Sequence, residues 1–150
     1  MDYTTNSEEV SSAIKFLNID AKMLTGDLSL AVISRVVERF TGFDKYQYPL
    51  WENIINDNAI RRQYAWEVFS KLLRNKEVIL LFDFADDKNI FLFSDGAILS
   101  KIFENCFKFV FYVTNVENDF LLAYNDHDYL IGAGEAITWI DDIKSGKYDI

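Results

Sequence analysis

One cysteine, one proline, one histidine and six glycines are spread over 150 residues. A lone Cys106 closes no internal disulfide, and without a Cys-x-x-Cys pair there is no zinc clip or dithiol redox centre. So little proline and glycine, in a chain that is 50% apolar and 16% aromatic, excludes collagen-like repeats, low-complexity linkers and intrinsic disorder. Long apolar runs are missing too. The longest, 78–82, 109–113 and 120–124, hold five residues each, against the ~20 that a membrane-spanning helix needs. The opening MDYTTNSEEV is acidic and polar where a secretory signal is basic and then apolar, and the closing Lys147-Tyr148-Asp149-Ile150 carries no lipidation signal. The expectation is a cytoplasmic protein with a reduced Cys106 acting as a small core side chain.

Arginine is absent after Arg74. Residues 1–75 carry nine Lys and Arg against ten Asp and Glu, whereas residues 76–150 carry six lysines against fourteen Asp and Glu, a net of −8. The whole chain stands at −9 with a pI near 4.5. Such a surface repels phosphates, which excludes direct nucleic-acid binding through a basic patch. A field of one sign steers cationic partners; it also serves solubility alone. Both readings stay open at this point.

The apolar spacing predicts one α+β domain over 1–150, with a helical part at about 1–75 and a sheet-rich part at about 76–150. Ser7-Glu8-Glu9 reads as the start of a helix running to Leu17. Leu30, Ile33, Val37 and Phe40 mark the inward face of a second helix. Gly42 and Pro49 break the pattern, a short helical turn follows near Trp51–Ile55, and Ala65, Val68, Phe69, Leu72 and Leu73 form another stripe. Beyond Glu77, Val78–Phe84 reads as a strand buried on both faces, followed by a turn at 85–89 and a strand at 90–93. A short helix opens at Asp95-Gly96. Phe107–Val113 and Phe120–Tyr124 pair across the 114–119 turn. Gly132-Ala133-Gly134 is a turn, and Ala136, Ile140 and Ile143 line a last helix ending near Gly146. The expected architecture is N-terminal helices on a mostly antiparallel sheet of four to five strands, closed by a C-terminal helix.

Asn125-Asp126-His127-Asp128 is the densest polar cluster. A general base or metal ligand at His127 would need further ligands, and no second histidine exists. If the stretch is extended, Asp126 and Asp128 point away from His127. The cluster reads as structural, its Asn and Asp bonding nearby backbone at a strand end with His127 satisfied internally. Asp86-Asp87 reads as turn chemistry. Phe107, Phe109, Phe111 and Tyr112 read as core, because a base-stacking platform needs flanking arginines. Trp139 falls off the Ala136–Ile140–Ile143 stripe, either as a hot spot rimmed by Glu135 and Asp142 or as a cover for the core's edge.

Phe109-Val-Phe-Tyr-Val113, Asp119-Phe-Leu-Leu122, Asn125-Asp-His-Asp128 and Gly132 together resemble the immunity proteins of bacterial polymorphic-toxin and contact-dependent growth inhibition systems. Phe120 stands where tryptophan is commoner. The matching positions Asn125, His127 and Asp128 carry a structural motif in this reading. The resemblance implies a small, acidic, cytoplasmic protein with no catalytic residues, metal or cofactor of its own. Its partner would be the C-terminal domain of a cognate toxin, a basic nuclease-type domain, held in a direct complex. The contact candidates are the acids of the turns and last helix, Asp86, Asp87, Glu117, Asp119, Asp126, Asp128, Asp141 and Asp142, together with Trp139. Two other readings remain: a metal-dependent hydrolase built on His127 with Asp126 or Asp128 and Asp86 or Asp87, and an acidic adaptor for a non-toxin partner.

Overall fold

The computed structural model describes residues 4–148; the outermost residues of both stretches read for targeting, 1–3 and 149–150, lie outside it. Its centre is a sheet of seven strands: β1 (Lys22–Leu24), β2 (Asp57–Arg61), β3 (Val78–Leu81), β4 (Ile90–Phe93), β5 (Phe111–Thr114), β6 (Phe120–Tyr124) and β7 (Tyr129–Gly134). They lie in the order β1-β4-β3-β5-β6-β7-β2, every neighbouring pair antiparallel. Helices cover both faces, and the chain forms a single α+β domain. Val78, Leu80, Phe82, Phe111, Val113 and Leu122 face α1 (Asn6–Leu17), α3 (Phe69–Leu72), α4 (Leu99–Glu104) and α5 (Ala136–Lys144). Ile79, Leu81, Tyr112, Leu121 and Ala123 face α2 (Gly26–Phe40) and the 3-10 turn Leu50–Asn53. Coverage of both faces is why the central strands read as unbroken apolar runs.

Seven strands stand against the expected four to five, and β1, β2 and β7, which the sequence reading does not place, each escape for a physical reason. β1 has three residues, too few for a periodic pattern. β2 reads Asp-Asn-Ala-Ile-Arg, polar because it is an outer strand with one side unpaired. β7 contains Gly132-Ala133-Gly134, whose glycines argued for a turn. They are instead forced by close packing: a Cβ on Gly132 would lie 2.6 Å from the Ala136 carbonyl oxygen and 2.8 Å from Ile140 Cγ1. Gly132→Ala is therefore expected to cost about 1–3 kcal/mol, read as a lowered thermal midpoint. A midpoint equal to the parent's would mean that α5 does not press on β7.

Smaller corrections follow the same logic. The buried stripe of α2 is Ser29, Val32, Ile33, Val36, Val37 and Phe40; Leu30 is 46% exposed because Ser29 takes the inward place, its hydroxyl donating to the Gly26 carbonyl at 2.9 Å. Helix α1 is capped by Thr5, whose Oγ1 accepts the Glu8 N–H at 3.2 Å, so Ser7 lies two residues past the cap, within the first turn. Phe111 and Tyr112 are core, Phe109 is half-buried, and Phe107 is 81% exposed because β5 begins only at Phe111. The stripe Ala65, Val68, Phe69, Leu72 and Leu73 is buried as expected, on a 3-10 turn running into α3.

Antiparallel order fixes two ends. The loops after β3, before β5 and after β6 emerge together at one, which we call the β6–β7 end. The entry to β3, the β5–β6 turn and the residue after β7 emerge at the other, the β5–β6 end.

Candidate functional site

At the β6–β7 end, Asp83 follows β3 into the 82–89 loop and is buried. Its Oδ1 accepts the Tyr46 hydroxyl and the Leu50 N–H, both at 2.7 Å, and its Oδ2 accepts the Tyr112 hydroxyl at 2.7 Å. Tyr112 Oη in turn accepts the Trp51 N–H at 3.0 Å. One carboxylate thus ties the 46–51 connection onto the sheet. Burial pushes the Tyr46 and Tyr112 phenols well above their ordinary range, and the adjoining Asp83 adds to it. Asp86 is pushed up as well, by partial burial and then by Asp83 and Asp87.

Several candidate acids are already engaged. Asp87 is buried, accepting the Ser7 N–H at 2.8 Å through Oδ2 and the Asn89 N–H at 3.0 Å through Oδ1, so it closes the α1 N-terminus. Asp128 accepts the Tyr124 hydroxyl at 2.6 Å and Lys108 Nζ at 2.9 Å. Those two donors hold its carboxyl below the usual carboxylate range. Asp141 accepts Asn58 Nδ2 at 2.9 Å, fastening α5 to β2, and Asp142 lies 3.5 Å from Lys147 Nζ. Asp86 and Asp126 stay exposed.

Asn125 behaves as a structural residue. It is buried, and its Oδ1 accepts the N–H groups of His127 and Tyr129, each at 3.0 Å, which folds 125–128 into a turn rather than an extended segment. His127 is not satisfied internally as expected: its side chain is 63% exposed, 3.8 Å from Asp126 and edge-on to Trp51 at 6.1 Å. The turn points its side chains outward, so the core never meets the imidazole. Among the described residues, no group of three or more His, Cys, Asp or Glu side chains is placed to hold a metal ion; Asp128 points to Lys108 and Tyr124 and Asp87 to the N-terminus of α1.

The β5–β6 end is different. A shallow cleft of about 450 Å³ is lined by Lys76, Glu77, Glu117, Asp119, Glu135 and Trp139, among others. Trp139 is half-buried, its ring 4.8 Å from that of Phe120, so it covers the core's edge while its other side borders the cleft. Lys76 Nζ sits 5.6 Å from the indole. Asp119 is set in place by Asn115, whose Nδ2 donates to Oδ2 and whose Oδ1 accepts the Asp119 N–H, both at 2.9 Å. None of these four carboxylates forms an ion pair among the described residues. No protein-family model, curated protein or solved structure matches the chain.

The structure thus brings Glu117, Asp119 and Trp139 together, disperses the other candidates, and adds Lys76, Glu77, Glu135, Asp83, Tyr46 and Tyr112. Asp83 had a signal in the sequence: it is the one acid inside the apolar stretch 78–84. Glu135 had one as well, four residues before Trp139 and already placed on its rim, whereas Glu77 had none, since only the antiparallel order brings residue 77 to the same end. No helix among the described residues is long and apolar enough to cross a membrane.

Proposed function

We propose that this protein is a cytoplasmic immunity protein that neutralises the C-terminal domain of a cognate toxin by direct binding, with the Trp139 cleft as its contact surface. The observation that carries the reading is the indole of Trp139 with a lysine ammonium against its face and four carboxylates around it. Aromatic faces attract cations, and an aromatic anchor ringed by polar groups is the usual anatomy of a binding hot spot. Lys76 occupies the position that an arginine or lysine of a basic partner would take or share. The carboxylates of Glu77, Glu117, Asp119 and Glu135 would stand in for the phosphates of a nuclease substrate, and the −8 half would speed encounter. The resemblance of residues 109–132 to immunity proteins points the same way.

The test is co-expression with the C-terminal domain encoded immediately upstream, scored by survival and by a co-purifying complex. The Glu117→Lys/Asp119→Lys double variant is expected to weaken the complex about 100-fold, mostly through slower association, with the thermal midpoint unchanged. Rescue undiminished by that variant would move the contact away from this cleft. A protein that folds but leaves the upstream toxin lethal would end the immunity reading. Equal, salt-sensitive binding to many basic proteins would favour an acidic adaptor instead.

A further inference from the structure

A second concavity lies at the β6–β7 end, away from the proposed toxin contact, and encloses about 290 Å³. Aromatic rings run round its wall. Tyr64, Trp66, Phe103, Phe111 and Tyr124 follow one another at centroid distances of 5.9, 6.0, 3.9 and 5.7 Å. The circuit closes where the Tyr64 N–H donates to Tyr124 Oη at 3.1 Å. Core packing accounts for Phe103, Phe111 and Tyr124, which are buried. It does not account for the mouth. Phe107 keeps 81% of its surface in water and Tyr64 keeps 53%, and Tyr64 does so with φ at 60°, a left-handed conformation unfavourable for a bulky residue. The exposed apolar area contributes nothing to folding and the backbone strain opposes it, and such features gather at binding sites.

The lining carries one pair of charges, Lys108 and Asp128, with Glu9 Oε1 outside it accepting the Phe107 N–H at 3.3 Å. Lys108 Nζ and Asp128 Oδ1 are 2.9 Å apart, so their charges offset each other and leave a hydrogen-bond donor beside an acceptor. The wall thiol, Cys106, is pushed up to about 12 by burial and then by Glu9, so it stays protonated and adds no charge.

We infer that this pocket binds a neutral, planar heteroaromatic molecule of one or two fused rings. Its volume lies at the lower edge of the ~300–1,000 Å³ typical of small-molecule sites, which limits the ligand to about that size. Wall rings set at 69° and 63° to one another offer a flat ligand both stacked and edge-to-face contacts. A cation would gain from the ring faces and lose to Lys108; an anion would lose to Asp128. Ring heteroatoms would meet the Lys108–Asp128 pair, which a plain hydrocarbon would leave unanswered.

The probes are indole and adenine, titrated into ¹⁵N-labelled protein, with cyclohexanol and tetramethylammonium as the non-planar and cationic comparisons. Saturable shifts are expected for at least one planar probe, centred on the amides of Tyr64, Trp66, Phe107, Lys108 and Asp128. Both comparisons should bind at least about tenfold more weakly. Tyr64→Gly and Phe107→Ser each remove an exposed ring, and glycine is at ease at a left-handed φ, so both variants should keep the parent's thermal midpoint while weakening the planar probe about tenfold. The inference is overturned if neither planar probe saturates, if cyclohexanol or tetramethylammonium binds as well, or if both variants bind undiminished. It does not depend on the toxin reading: Glu117→Lys/Asp119→Lys should leave probe binding unchanged.

Discussion

Asp83→Leu is expected to cost the fold about 3–5 kcal/mol. The substitution keeps the volume roughly constant but strands three donors. The Leu50 N–H and the Tyr112 hydroxyl are buried, with no water to turn to, and each stranded group costs ~1–3 kcal/mol. Tyr46 is half-buried and can rotate toward solvent, so it contributes less. Asp83→Asn keeps one acceptor oxygen and should fall between parent and leucine. Urea melts followed by tryptophan fluorescence are the measurement, because the Trp51 N–H hangs on the same network through Tyr112. A leucine variant as stable as the parent would mean that the 46–51 connection holds itself in place without the carboxylate.

Alkali should unfold the protein cooperatively, through its phenols. Tyr46, Tyr112 and Tyr124 are all raised above the ordinary phenol range, by burial first and by their Asp83 or Asp128 partners second. In the unfolded chain they release their protons near pH 10. Above that pH the folded state holds more protons than the unfolded one, so the stability of the fold declines as pH rises. It is fully present below pH ~10, and buried Tyr112 alone contributes a slope of up to ~1.4 kcal/mol per pH unit beyond it. Of the eight tyrosines, these three should form tyrosinate, seen by ultraviolet absorbance, only in the same pH step that abolishes near-ultraviolet circular dichroism. Ionisation of all eight while the fold persists would contradict the buried, carboxylate-bonded placement of these hydroxyls.

The sequence was most readable where burial is symmetric. Val78–Phe82 announced a central strand, and α5 announced its inward face through Ala136, Ile140 and Ile143, all of them buried. It was least readable at the sheet margins, where β2 has polar residues and β1 is too short to show alternation. At Gly132 it misled, because a glycine needed for close approach to α5 looks in sequence like a glycine needed for a turn. Of the site, Trp139 and the acids at 117 and 119 were visible as chemistry but not as neighbours. Glu135 was legible beside Trp139, four residues before it at the start of the same helix, but the company of Glu77, Glu117 and Asp119 follows from strand order, a long-range property that no local pattern carries. Phe107 looked like the start of an aromatic strand, and its exposure comes from where β5 begins.

The two outermost strands of the sheet come from the half of the chain that a ribosome makes first. Lys22 pairs with Leu92 and Asp57 with Ala133, so β1 waits for β4 and β2 waits for β7. Between them, β3 to β7 pair through shorter connections within the later half. Nascent residues 1–75 therefore leave the exit tunnel without partners for either strand; β1 stays open until residues 90–92 are out, and β2 until nearly the whole chain is. Of the seven strands, β2 is the one that must wait for the last-made strand, β7.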